Sequence, residues 1–219
     1  MTAKKSGFKI LIADDHPAIL IGLRNILEGR KLKSILEARD GAQALEMILA
    51  HKPDLAILDL FMPNLTGIEV LKDLFQKKCS TKVVIFSAHV EKDALDEALK
   101  YGAKGYLLKD NTSEELLNCV NFVLEGGIYL SPSVTDKLLR RRREDSDGDE
   151  SLLRYLSEME KGILLLLANN MTSKQIADKL KLSFRTVQNH RANICSKLNL
   201  NGVNSLLIFA LQHKAALES

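Results

Sequence analysis

The sequence predicts an α/β fold with a doubly wound, five-stranded parallel sheet, followed by a small all-α domain. Three observations carry this. Short apolar, partly β-branched runs alternate with helix-period stretches five times between Phe8 and Gly127. Those runs show little polar–apolar alternation, as strands covered on both faces do. From residue 152 onward nothing strand-like remains, and capping residues and tight turns take over.

The first strand is Phe8–Ala13, stopped by Asp14 and Asp15. Ile19, Leu20, Leu23, Ile26 and Leu27 then recur at helical spacing over 17–28, with Gly29 as the stop. Leu32–Ala38 is a second strand, and 42–50 a helix ended by Lys52-Pro53, because the residue before a proline avoids helical geometry. The third strand, 55–58, ends at Asp59, and a helix follows over 66–75. The fourth, 82–86, ends at Ser87 and precedes a helix over 93–100. The fifth, 105–108, ends at Lys109; Thr112 and Glu115 then have capping-box spacing for a helix that runs to Gly126-Gly127. Right-handed crossovers would place all the helices on the two faces of one sheet.

Composition narrows the class. The chain has 219 residues, 46% hydrophobic and 27% charged, enough to bury a core. Aromatics are 5% with no Trp, which argues against stacked aromatic platforms for nucleic acid. Three cysteines, an odd number with no CxxC pair, argue against a disulfide framework or a thiolate zinc site. No apolar run approaches the ~18 residues of a membrane span. Lys4 and Lys5 precede an apolar stretch, but Asp14 ends it too early for a signal peptide. The reading is a cytoplasmic protein with no membrane partner.

Charge is unevenly spread. Residues 1–132 carry −1, residues 133–151 carry −1, and residues 152–219 carry +5. The last third therefore suits an anionic partner. Between the two folded parts, Arg140 to Arg143 and the acidic run from Glu144 to Glu150 read as a solvated linker. The boundaries are 1–132, 133–151 and 152–219.

Ligands of open α/β sheets bind at the carboxyl ends of the strands. Here those ends supply Asp14, Asp15, Asp59, Ser87 and Lys109. Crowded carboxylates repel unless a cation intervenes, and an oxygen-only site suits Mg²⁺. Lys109 adds a fixed positive charge and Ser87 a hydroxyl. Together they suit a carboxylate nucleophile that carries a phosphoryl group.

On these residues the first part resembles the receiver domain of two-component response regulators. The matching stretches are Ile10-Leu11-Ile12-Ala13-Asp14-Asp15-His16, Asp59-Leu60-Phe61-Met62-Pro63-Asn64-Leu65-Thr66-Gly67 and Gly102-Ala103-Lys104-Gly105-Tyr106-Leu107-Leu108-Lys109-Asp110. The resemblance implies a flavodoxin-like fold and a phosphoryl group on Asp59 donated by a histidine kinase. It implies Mg²⁺ held by Asp14, Asp15, Asp59 and the Phe61 carbonyl, with Lys109 and Ser87 on the phosphoryl oxygens. Tyr106 stands where the family has its aromatic switch residue. His16 reads as a loop residue, and Pro63 and Gly67 as shaping the loop after Asp59.

The last third reads as four helices: 157–168, 172–180, 183–198, and one from Gly202 or Val203 to about Ala215. Ser157 with Glu160 has capping-box spacing, and Ser183 is an N-cap. Only Lys181-Leu182 joins the second helix to the third, a tight helix-turn-helix connection. The segments Thr172 to Leu180, Leu182 to His190 and Ile194 to Leu198 resemble a LuxR-type DNA-binding domain, which paired with a receiver defines the NarL/FixJ group. Val187, Ile194 and Leu198 form one core stripe, with Arg185, Gln188, Asn189 and Ala192 off it. Gln188 and Asn189 suit adenine edges in the major groove. Lys174, Arg185, Thr186, His190, Arg191 and Lys197 are expected at phosphates. Val203, Leu206, Leu207, Phe209 and Ala210 on the last helix serve either as a pairing surface or as core. Met159, Gln188 and Val203 depart from residues common in the family, and Gly162 interrupts the helix 157–168.

The function expected is control of sequence-specific DNA binding by phosphorylation of Asp59, without turnover as an enzyme. A homodimer is expected on phosphorylation, reading an inverted-repeat operator. One alternative is a phosphorylation-independent DNA-binding regulator whose receiver only dimerises. Another, a Mg²⁺-dependent phosphohydrolase, needs a second acid two residues after the nucleophile, where this chain has Phe61.

Overall fold

A computed structural model describes residues 7–28, 32–89, 91–136, 149–202 and 204–218. The chain divides into two compact units, Met1–Leu124 and Glu125–Ser219.

Five strands follow the expected runs: β1 (Phe8–Ala13), β2 (Leu32–Ala38), β3 (Leu55–Asp59), β4 (Lys82–Ser87) and β5 (Gly105–Leu108). The sheet is six-stranded rather than five-stranded, in the order β2-β1-β3-β4-β5-β6, because the two-residue strand β6 (Tyr129–Leu130) is added at its edge. Two residues are too few to carry a periodic signal. The registers resolved for the first five strands are all parallel. Every residue of β3 and β5 is buried, which explains why neither alternates.

The helices of this unit are α1 (Pro17–Glu28), α2 (Gly41–His51), α3 (Gly67–Gln76), α4 (Lys92–Lys100) and α5 (Ser113–Leu124). Pro17 opens α1, where its missing N–H is no loss. Thr66 caps α3 in a full capping box with Glu69. At α5, Glu115 N donates to Thr112 Oγ1 at 3.2 Å, and the Glu115 carboxylate accepts from Asn111 Nδ2 at 2.7 Å.

In the second unit, residues 132–136 are helical and Asp149–Tyr155 is a 3-10 turn. Then come α6 (Glu158–Ala168), α7 (Ser173–Leu180), α8 (Phe184–Lys197), α9 (Ser205–Gln212) and α10 (Lys214–Glu218). The single last helix read from the sequence is two, separated at His213, whose buried ring lies 4.2 Å from that of Phe209. Leu206, Leu207, Phe209 and Ala210 are at most 5% exposed, so this face is core and not a free pairing surface. The linker's Arg140 to Arg143, the stop at Gly29, Lys4, Lys5 and Val203 lie outside the described residues. Among the described residues no helix is long and apolar enough to cross a membrane.

Candidate functional site

The register of the sheet assembles the site. Ala13 pairs with Leu58, so Asp14 and Asp59 leave their strands side by side. Asp59 pairs with Phe86, and Ser87 with Leu108, which brings Ser87 and Lys109 to the same edge. Strands β1 and β3 flank the point where the strand order reverses, the place where such sheets bind ligands.

Asp14 and Asp59 are both buried. Lys109 Nζ lies 2.7 Å from Asp14 Oδ2 and 3.1 Å from Asp59 Oδ2. Burial, then the Asp14 charge, pushes the Asp59 carboxyl above its ordinary value, with Lys109 pulling against them. For Lys109, burial opposes the charge, but the two carboxylates win and raise its pKa. Asp15 stands at the mouth, where its Oδ1 lies 2.7 Å from His16 Nδ1. His16 stands in the loop after β1, as the sequence reads it, and its backbone N–H donates to Asp14 Oδ1 at 3.0 Å.

The cluster fits a hard cation. Asp14 Oδ2 is buried, has its ion pair with Lys109, and accepts no well-directed hydrogen bond. Three carboxylates outweigh one ammonium, so a phosphoryl group could join them only with added positive charge. Ligand atoms of Asp14, Asp15 and His16 fall within 4.8 Å of one another. Carboxylate oxygens suit Mg²⁺ better than an imidazole nitrogen does. Phe61, in the loop after Asp59, has an exposed side chain.

That loop is shaped by close backbone approach. A Cβ on Gly67 would sit 2.3 Å from the Asp59 carbonyl oxygen, and Gly67 N–H donates to Leu60 O at 2.9 Å. Pro63 O accepts from Gly41 N at 3.2 Å. Ser87 is fully buried, and its hydroxyl donates to His89 O at 2.9 Å rather than to the carboxylates. Tyr106, also fully buried, directs its hydroxyl at the same carbonyl from 3.5 Å. No sequence signal marks a main-chain acceptor.

In the second unit, α7 and α8 are joined by Lys181, in the left-handed conformation at φ 54°, and Leu182. Ser183 caps α8 by accepting from Thr186 N at 3.0 Å. Val187 and Ile194 are buried, whereas Lys174, Arg185, Gln188, Asn189 and Ala192 are exposed and Thr186 and His190 partly so. Two of the expected phosphate contacts are tied within the domain. Arg191 donates to Ser173 Oγ, and Lys197 Nζ lies 2.7 Å from Oε2 of the buried Glu160.

Comparison with known proteins agrees with both halves. Residues 10–121 match the response regulator receiver domain family, and residues 154–210 match bacterial regulatory proteins of the luxR family. The oxygen regulatory protein NreC of Staphylococcus carnosus (strain TM300) is 34% identical, across 94% of this chain and 98% of its own length. The transcriptional regulatory protein DegU of Brevibacillus brevis is 30% identical, across 94% and 93%. The response regulator ChrA of a heme-sensing two-component system, a crystal structure, is 28% identical across 97% and 99%, with a TM-score of 0.53.

A receiver sheet followed by a helical DNA-binding unit defines a transcriptional response regulator. This chain belongs to the NarL/FixJ-type response regulators of two-component systems, with a LuxR-type DNA-binding domain.

Proposed function

We propose that Asp59 takes a phosphoryl group from a cognate sensor histidine kinase in the cytoplasm, and that this controls DNA binding. The observation that carries the reading is the Lys109 ammonium set between the buried Asp14 and Asp59 carboxylates, at 2.7 and 3.1 Å. An Asp59 carboxylate oxygen forms the new P–O bond as the P–N bond to the donor histidine breaks, and the departing imidazole takes up a proton. Lys109 stays charged and turns toward the phosphoryl oxygens. Asp14, Asp15 and Asp59, with the Phe61 carbonyl, would hold Mg²⁺, which when bound supplies charge neutralisation. There is no turnover of a second substrate; hydrolysis of the acyl phosphate resets the chain.

The new charge draws the Ser87 hydroxyl off His89 O, and Tyr106 repacks around the change. That shift favours paired chains on an inverted-repeat operator. Gln188 and Asn189 face base edges, with Lys174, Arg185, Thr186 and His190 at the backbone. Arg191 and Lys197 act from fixed positions, anchored on Ser173 and Glu160.

Fluorescence anisotropy on duplexes selected from a random library tests the coupling. Acetyl phosphate with Mg²⁺ is expected to tighten binding by wild type and not by Asp59→Asn. Equal affinity of both proteins, with and without the donor, would instead make the receiver a phosphorylation-independent dimerisation module.

A further inference from the structure

Phe184 is the first residue of α8, and it is 55% exposed. It stands at i with Gln188 at i+4 and Ala192 at i+8, so the three share one face of the helix. All three are exposed, while Val187 and Ile194, on the adjoining stripe of the helix, are buried. Ser183 fixes the first turn through Thr186 N at 3.0 Å and Thr186 Oγ1 at 2.7 Å, so the ring projects from a defined backbone. The first position of a helix accepts almost any residue, and a polar one would cost nothing in water. The flanking exposed residues, Lys174, Arg185, Gln188 and Asn189, are polar or basic.

A phenyl ring has no donor or acceptor to offer a base edge. The major groove offers it one apolar partner, the C5-methyl group of thymine. We infer that Phe184 is a base-reading residue that packs on a thymine methyl group and sets a T·A preference at the base pair it faces. The inference rests on the proposed placement of α8 in the major groove, with its N-terminal turns foremost. Electrostatics plays no part in it, which separates Phe184 from its basic neighbours.

The test uses the full chain, treated with acetyl phosphate, to select duplexes from a random library. Each thymine of the selected duplex is then replaced in turn by deoxyuridine, which lacks only the methyl group. Wild type, Phe184→Ala and Phe184→Leu are compared by anisotropy. One replacement is expected to weaken wild type by about fourfold, the factor for losing one methyl-sized burial. Phe184→Leu keeps that sensitivity. Phe184→Ala loses it and still binds, with an unchanged salt slope because no phosphate contact is removed. Indifference of wild type to every replacement, or equal sensitivity of Phe184→Ala, would overturn the inference and leave the DNA-reading helix standing. Enrichment of no duplex at all would overturn both.

Discussion

The hydroxyls of Ser87 and Tyr106 are aimed at one atom, the carbonyl oxygen of His89, from 2.9 and 3.5 Å. Both side chains are fully buried, on neighbouring strands whose register pairs Ile85 with Tyr106. A change in the partner of Ser87 therefore alters the surroundings of Tyr106 without any large movement. This is the kind of local event that biases a two-state element.

Ser87→Ala separates acceptance of the phosphoryl group from its readout. The variant is expected to be phosphorylated at Asp59 while its gain in DNA affinity shrinks. Its stability should fall by about 1 kcal/mol, the worth of one buried hydrogen bond. Intact mass and anisotropy on one sample check both parts.

Asp59→Asn should stabilise the metal-free chain at neutral pH. Burial and Asp14 raise the Asp59 pKa in the folded state, so the folded chain holds that proton more tightly than the unfolded one. Ionisation therefore costs stability as pH rises from the unfolded value through the folded one. Asn carries no such cost. Lys109 remains charged throughout, with Asp14 as its partner, and the Asp15–His16 pair is common to both proteins. Thermal melts in chelator should show the variant ahead at pH 7, with the gap closing as pH falls through the carboxylate range.

Glu160 ties two helices of the DNA-binding domain together. It accepts from Ser157 N at 2.8 Å and Ser157 Oγ at 2.9 Å, and pairs with Lys197 across to α8 at 2.7 Å. Burial alone would raise its pKa, but these donors hold it below the ordinary carboxylate value. Its contribution is thus present above the unfolded pKa and lost as pH falls through the folded one. Glu160→Ala should cost about 2 kcal/mol, a lost cap plus a charged hydrogen bond, read by denaturant unfolding. Glu160→Gln, which keeps the shape, should cost less.

Two glycines should respond oppositely to alanine. A Cβ on Gly162, within α6, meets nothing within 4 Å. Gly162→Ala should add about 0.5–1 kcal/mol through helix propensity. Gly67→Ala would drive its methyl into the Asp59 carbonyl oxygen at 2.3 Å. It should destabilise by about 1–3 kcal/mol and slow phosphorylation, because the loop that frames Asp59 must shift. Chemical melts and phosphorylation rates of both variants check the contrast.

The strand ends were legible because a buried parallel strand announces itself as an unbroken apolar run, and the first polar residue marks its end. Asp14, Asp59, Ser87 and Lys109 were found that way, and the register brings them together. Tyr129–Leu130 was not, since two residues have no period. The break at His213 was hidden because apolar spacing continues across it. Leu206 and Phe209 showed an apolar face but not what covers it. Arg191 and Lys197 read as phosphate contacts, and a sequence does not show that Ser173 and Glu160 also hold them. The convergence on His89 O involves a main-chain atom, which every residue has.

Intact mass after incubation with acetyl phosphate and Mg²⁺, wild type beside Asp59→Asn, tests the phosphoacceptor assignment most directly. Wild type should gain one adduct of roughly 80 Da, a phosphoryl group on a nucleophilic carboxylate. The adduct should vanish in chelator and be absent from the variant. An adduct of equal yield on Asp59→Asn, or none on wild type, would contradict it.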